Sequence, residues 1–231
     1  MDLKNKKLVI AGIVVGVVII TFGVLACVGL FRGFDPKAYV EGMLDQTMKG
    51  EVEAAVKTVE GATERQLLAQ YEESIANFTK KNILNNVEVD KELEEKYIAH
   101  CKKIFGAMKY EVGEAKEVGD KEYQIPVTYQ ASDVYVKYMA ALTQENQRLM
   151  AKMEKGEYKG ETREEIEAQM KEEFLKNACD LLEEAYKAME FGEKQTLTFT
   201  VKKGENGLYK LQEDEMTQFI VKIMSLDAIQ G

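Results

Sequence analysis

The chain has 231 residues, 45% of them apolar, which suits a short targeting segment plus one domain with a proper core and is too apolar for wholesale disorder. Its formal net charge is −9; setting aside Asp2, Lys4, Lys6 and Lys7, which precede an apolar run, leaves 28 basic and 39 acidic residues, a net charge of −11 for the remainder. That balance argues against nucleic-acid binding, which needs a basic face to displace counterions, and against peripheral docking on anionic lipid.

Residues 1–7 form a short positive tail, and Leu8 to Phe31 then run for 24 residues without a charge. As a helix this run spans about 36 Å, against about 30 Å of bilayer hydrocarbon, so 8–31 reads as a transmembrane anchor. Three lysines precede the run and only Arg32 follows it at once, which keeps the N-terminus cytoplasmic and sends the rest out. A second reading stands beside it. Val24-Leu25-Ala26-Cys27 fits a lipobox, with a signal ending at residue 26 and Cys27 as the lipidated residue. Against it, the apolar run before Cys27 exceeds the usual ~7–15 residues of a signal core, and Val28 to Phe31 stay apolar. Both readings place residues 34–231 outside the cell as a single domain on a single-pass or lipid tether.

Asp35-Pro36 predicts a helix start, since Asp caps and Pro suits the first helical position, and Gly50 predicts its end. A second short helix is expected over 51–59. Thr63 with Gln66 forms a capping box for a third, whose apolar stripe is Leu67, Leu68, Tyr71, Ile75 and Phe78. Asp90 caps a fourth, with Leu93, Tyr97, Cys101, Ile104, Phe105 and Met108 on one side.

The period then changes to two. Tyr110 and Val112 begin a strand to Val118, Gly119-Asp120 turns it, and Tyr123, Ile125, Val127 and Tyr129 alternate with Gln124, Thr128 and Gln130. Pro126 removes a ladder donor, which predicts an edge strand or a local bulge. Two helices follow, one from Val134 and one capped by Thr162 with Glu165, separated by Gly156 to Gly160. Leu197, Phe199 and Val201 alternate with Thr196, Thr198 and Thr200, Gly204 to Gly207 turns the strand into Leu208 to Leu211, and a short helix from Met216 to Leu226 closes the chain. The expected architecture is α+β: four antiparallel strands in two hairpins packed on helices, with a helical hairpin between the second and third strands.

The order of helices, then KYEVGEAKEVGDKEYQIPVTYQ, then helices, then TLTFTVKKGENGLYKLQ resembles exported membrane-anchored proteins or lipoproteins of Gram-positive bacteria whose domain has no known function. The hairpins also resemble the cystatin-like and NTF2-like sheet wrapped on helices. The resemblance implies an extracytoplasmic domain and no established active site. Where that group ends its sheet with Gly-x-Trp-x-Ile, this chain has Gly207-Leu208-Tyr209-Lys210-Leu211.

Chemistry-bearing motifs are sparse. Cys27, Cys101 and Cys179 have no CxxC spacing, and His100 is the only histidine, so no metal site, cofactor or catalytic residue is expected. Cys101 and Cys179 are expected as reduced, packed thiols. The acidic pairs Glu164-Glu165, Glu172-Glu173 and Glu183-Glu184 read as a solvated helix face paired with lysines. Tyr123, Tyr129, Tyr135, Tyr138, Phe199 and Tyr209 form the one aromatic set that could line a pocket, and Tyr123, Tyr129 and Tyr209 are the expected ligand-binding residues. The function expected is a non-catalytic extracytoplasmic module that binds an envelope protein, peptide or small ligand. A structural or oligomerising membrane protein, or an exported carboxylate enzyme, are the alternatives.

Overall fold

The caps written in the sequence are the caps of the protein. The computed structural model describes residues 27–28, 34–59, 61–160, 162–204 and 207–229. Helix α1 (Pro36–Lys49) begins where Asp35 accepts from the Ala38 amide and ends at Gly50, whose φ of 71° is the left-handed conformation that glycine adopts without strain. After the short α2 (Glu53–Thr58), α3 (Glu64–Phe78) starts with both halves of the Thr63–Gln66 capping box in place. It continues into a single π-helical turn, Thr79–Ile83. Asp90 caps α4 (Lys91–Gly106) through the Leu93 amide, and Thr162 with Glu165 caps α6 (Arg163–Lys187) reciprocally. Between them lies α5 (Val134–Glu154), and α7 (Glu213–Ile223) comes last.

The sheet is larger than the four strands expected. Among the described residues it has six strands in the order β1-β6-β5-β4-β2, with β3 also paired to β4. Their ranges are β1 Cys27–Val28, β2 Lys109–Val112, β3 Lys116–Gly119, β4 Glu122–Ser132, β5 Phe191–Lys203 and β6 Leu208–Leu211. The single strand expected from Tyr110 to Val118 is two, β2 and β3, which pair with successive halves of β4. Pro126 explains the break. It lies in β4, which is central rather than an edge and keeps its register to β5 through Pro126, so both the edge and the bulge alternatives are corrected and the interruption falls between the facing strands instead. In an antiparallel ladder a residue's N and C=O point to the same side. The Pro126 carbonyl accepts from Gly113 at 2.8 Å, so its missing N–H faces the gap between β2 and β3 and leaves the ladder to β5 intact. A Cβ at Gly113 would lie 2.9 Å from Pro126 Cγ, so glycine is what lets the two backbones meet there.

The expected anchor, 8–31, lies outside the described residues except at Cys27 and Val28. Those two form a strand on the free edge of β6, opposite Tyr209 and Leu208, so the helix expected there is not found. None of the described helices is long and apolar enough to cross a membrane. The helical hairpin between β4 and β5 is as expected: α5 packs along α6, and α6 along α4. Met170, Phe174, Cys179 and Leu182 of α6 join Tyr97, Cys101 and Ile104 of α4 and Tyr135, Tyr138 and Leu142 of α5 in one core. Leu68, placed on the buried stripe of α3, is instead 37% exposed, because its neighbour Leu67 takes the inward position and adjacent helical residues diverge by about 100°.

Candidate functional site: a sheet with one packed and one open face

Strand alternation divides the sheet residues between two environments. Ile125, Val127 and Tyr129 of β4, Phe199 and Val201 of β5, and Tyr209 and Leu211 of β6 are buried toward the helices. Helix α7 fills the centre of that face. The Phe219 ring meets Tyr129 and Phe199 at 5.7 Å and Tyr110 at 5.9 Å, edge-on in each case. Such edge-to-face contacts are the packing of a core, not of an open pocket.

The three expected ligand-binding tyrosines therefore separate. Tyr129 is 4% exposed, its hydroxyl donates to Gln195 Oε1 at 3.2 Å, and burial pushes its pKa up. Tyr123 and Tyr209 come together at the opposite end of the strand, about 20 Å away along β4. Their ring centroids are 6.1 Å apart. Phe34 completes this cluster by stacking on Tyr209 at 3.8 Å with the planes 2° apart, and it also meets Tyr123 at 6.3 Å and Tyr39 at 5.8 Å. Tyr209 is buried, and desolvation followed by the neighbouring Tyr123 raises its pKa. The sequence signal for Phe34 was its place at the exit of the apolar run, which the tyrosine pattern alone did not use. Tyr135 and Tyr138 lie off the sheet in the helical core.

The other face carries Gln124, Thr128 and Gln130 on β4 beside Thr200, Thr196 and Lys194 on β5, each pair directly opposite in register. Thr196, Thr198 and Gln124 are exposed, and Pro126, Thr128, Gln130 and Thr200 are half-exposed. Thr200 at one end of this face is held by Glu215 of α7, which accepts from its amide at 2.6 Å, while Gln124, Thr128, Thr196 and Thr198 keep solvent access. Thr128 and Thr196 share a hydrogen bond at 3.4 Å, and Gln130 Nε2 donates to the Gly192 carbonyl at 2.9 Å. The sequence showed this face as polar, and the register shows that its side chains form continuous cross-strand rows. The edges of the sheet are less available. Exposed Lys109, Glu111, Lys116 and Glu117 line one edge, and β1 pairs along part of the other.

The ionisable groups brought together elsewhere are engaged with one another. Glu145 is nearly buried and takes Arg148 through two hydrogen bonds of 2.7 and 2.8 Å and Asn177 at 2.7 Å. Arg148 also reaches Glu173 at 2.7 Å, where Lys152 and Tyr158 bind the same carboxylate at 2.7 and 3.0 Å. Burial acts to raise the Glu173 pKa, but the bonds from Lys152, Arg148 and Tyr158 outweigh it and hold it at about 2. Glu173, expected on the solvated face with Glu172, instead ties α6 to α5 and to the loop between them. Cys101 and Cys179 are both free and buried, and burial pushes their thiols up to about 12 and about 11. His100 is half-buried with Nδ1 unpaired, and burial lowers its pKa. Among the described residues no three His, Cys, Asp or Glu side chains are grouped as metal ligands.

No family model and no curated protein matches the chain. A solved structure of a candidate lipoprotein, YcdA of Bacillus subtilis, is similar to it with a TM-score of 0.53 at 12% identity, over 83% of this chain and 56% of that one. The chain thus spans little more than half the length of that neighbour, and the likeness is one of fold. The cystatin-like and NTF2-like resemblance finds no support in these comparisons.

Proposed function

We propose that this chain is a non-catalytic binding module, tethered to the outer side of a cell membrane by its N-terminal segment, that meets an envelope protein or peptide through the open face of β4 and β5. The observation behind this reading is the cross-strand array of Gln124, Thr128, Gln130, Thr196 and Thr198, exposed or half-exposed and carried on the ten-pair ladder between β4 and β5. Binding through paired strands costs little backbone ordering, because the chain that carries these side chains is already fixed. Thr and Gln offer donors and acceptors without charge, which suits the polar surface of another macromolecule better than a small ligand in a cavity. The tether reading is supported by the uncharged run, of which Leu8 to Ala26 precede β1, with three lysines before it.

Photocrosslinking tests the site. A benzophenone amino acid in place of Thr128 or Thr198, in cells that make the full chain, is expected to give a discrete crosslinked adduct. The same group at Lys171 on α6 is expected to give none. Adducts from Lys171 with none from the sheet positions would move the partner surface to the helical layer.

A further inference from the structure

The end of the sheet that holds Phe34, Tyr123 and Tyr209 is where the chain comes in from its apolar segment, and its surface chemistry differs from the rest of the domain. Phe34 lies three residues beyond the last residue of the uncharged run, Phe31. Residues 27–28 pair with Tyr209 and Leu208 at this same end. Even fully extended, the seven steps from Cys27 to Phe34 reach no more than about 25 Å. Any tether through the N-terminal segment, peptide or acyl, therefore holds this end next to the bilayer.

Two turns project there. The Lys203 amide donates to the Lys121 carbonyl at 3.1 Å, which joins the β3–β4 turn to the end of β5. Lys116, Lys121, Lys202 and Lys210 are exposed and Lys203 is half-exposed over the Tyr209 ring at 5.6 Å. Facing them are Glu117, Asp120 and Glu122, the last engaged by Lys202 at 3.0 Å; Glu205 lies outside the described residues. With exposed Asp35 beside Phe34 and Glu205 in the turn counted, five lysines meet five acids at this end, a local balance far from the net −11 of the region beyond the tether. The register of β3 shifts between Glu117 and Gly119, and Val118 at this bulge is 44% exposed, the most exposed of the large apolar side chains described. An apolar tip flanked by lysines, with aromatic rings behind it, is the composition that seats at a membrane interface.

We infer that this end of the sheet docks on anionic lipid headgroups of the membrane that tethers the chain, with Val118 at the interface and Lys116, Lys121 and Lys210 over the headgroups. The inference rests on the tether reading. The domain's total charge still opposes free peripheral docking, but a tethered domain needs only to be turned. Its acidic helical layer is repelled from an anionic surface while the lysine end is drawn to it. In this orientation the rows of β4 and β5 stand up from the membrane.

The chain has no tryptophan, so one introduced residue reports alone. Val118→Trp and Val136→Trp in the full chain place it at exposed positions in β3 and α5, beside opposite ends of β4, a strand about 34 Å long. In vesicles of brominated phosphatidylglycerol, V118W is expected to lose severalfold more emission than V136W. That loss is expected to shrink in brominated phosphatidylcholine, and when Lys116, Lys121 and Lys210 are changed to glutamate with an unchanged circular dichroism spectrum. Equal quenching at the two positions, or none at V118W in protein that floats with the vesicles, overturns the docking. Quenching that ignores lipid charge and the lysine changes overturns its electrostatic basis. Protein that does not float with the vesicles overturns the tether reading, and the docking with it.

Discussion

The hydroxyl of Tyr97 donates to the backbone carbonyl of Leu175 at 2.7 Å, joining α4 to α6 across 78 positions of sequence in a site with 1% exposure. Desolvation, followed by the neighbouring Tyr138 and Cys179, drives the phenol well above its ordinary pKa, so it stays a donor at every pH the fold survives. Tyr97→Phe keeps the ring and deletes the bond. The expected loss is about 1 kcal/mol, since the ring packing is retained. Urea unfolding should show a lower midpoint with an unchanged slope; a changed slope would mean that the native state had loosened instead.

The Glu173 cluster gives a pH dependence with a definite sign. Its folded pKa, about 2, lies below the ordinary 4.5, so the folded state holds the carboxylate charged where the unfolded chain takes up a proton. Stability from this group is present above about pH 4.5 and is lost as pH falls from there through about 2. Glu145, whose pKa is lowered chiefly by its bond from Arg148, acts in the same direction. Melting curves across this window should fall steeply for the native chain and less for Glu173→Gln. Parallel curves would place the acid sensitivity elsewhere.

The two core thiols should be nearly inert. With folded values of about 12 at Cys101 and about 11 at Cys179 against an ordinary 9.0, the thiolate fraction at neutral pH falls about a thousandfold and a hundredfold. Brief native alkylation at pH 8 followed by peptide mapping should leave both unmodified, and both should react after denaturation. A disulfide between them in extracted protein would contradict the packing.

The tether makes a prediction by mass. An uncleaved anchor leaves Leu8 to Phe31 joined to the domain in the membrane-extracted chain. A species beginning at an acylated Cys27 would select the lipobox reading.

Tyr129 and Tyr123 should now behave differently. Tyr129 lies under Phe219, so Tyr129→Ala is expected to cost about 3–5 kcal/mol, as large aromatic truncations in cores do, with no separate loss of partner capture. Tyr123 is only half-buried, and Tyr123→Ala should cost clearly less. A binding defect from Tyr129→Ala at unchanged thermal stability would restore the tyrosine face as the site.

The contrast shows where the sequence was legible. Asp35, Thr63, Asp90 and Thr162 announced four helix starts because a cap is settled within four residues of chain. The alternation around Ile125 and Phe199 likewise separated a packed from a wet face, since period two needs no knowledge of the partner strand. What covers the packed face was not legible. Phe219 reaches Tyr129 from 90 positions away, and only the folded chain brings α7 there. The split of β2 from β3 was half-written in Pro126, but which neighbour would absorb the missing donor depends on the order of strands. The same nonlocality hid the cluster of Phe34 with Tyr209, whose members lie at opposite ends of the domain sequence.

The insertion of α5 and α6 between β4 and β5 also sets an order of assembly. The central ladder begins where Ser132 meets Phe191, so its first rung closes a loop of residues 133–190. Left flexible, that loop costs about 2 kcal/mol more to close than a four-residue turn. Once α5 and α6 have zipped against each other, their outer ends already lie side by side. The Asp133 amide donates to the Glu190 carbonyl at 3.1 Å, and the Glu190 amide to Asp133 Oδ1 at 2.8 Å. The two helices thus act as a clasp whose closure starts the sheet, and kinetic φ-values should be higher at Leu142 and Leu182 than at Val127.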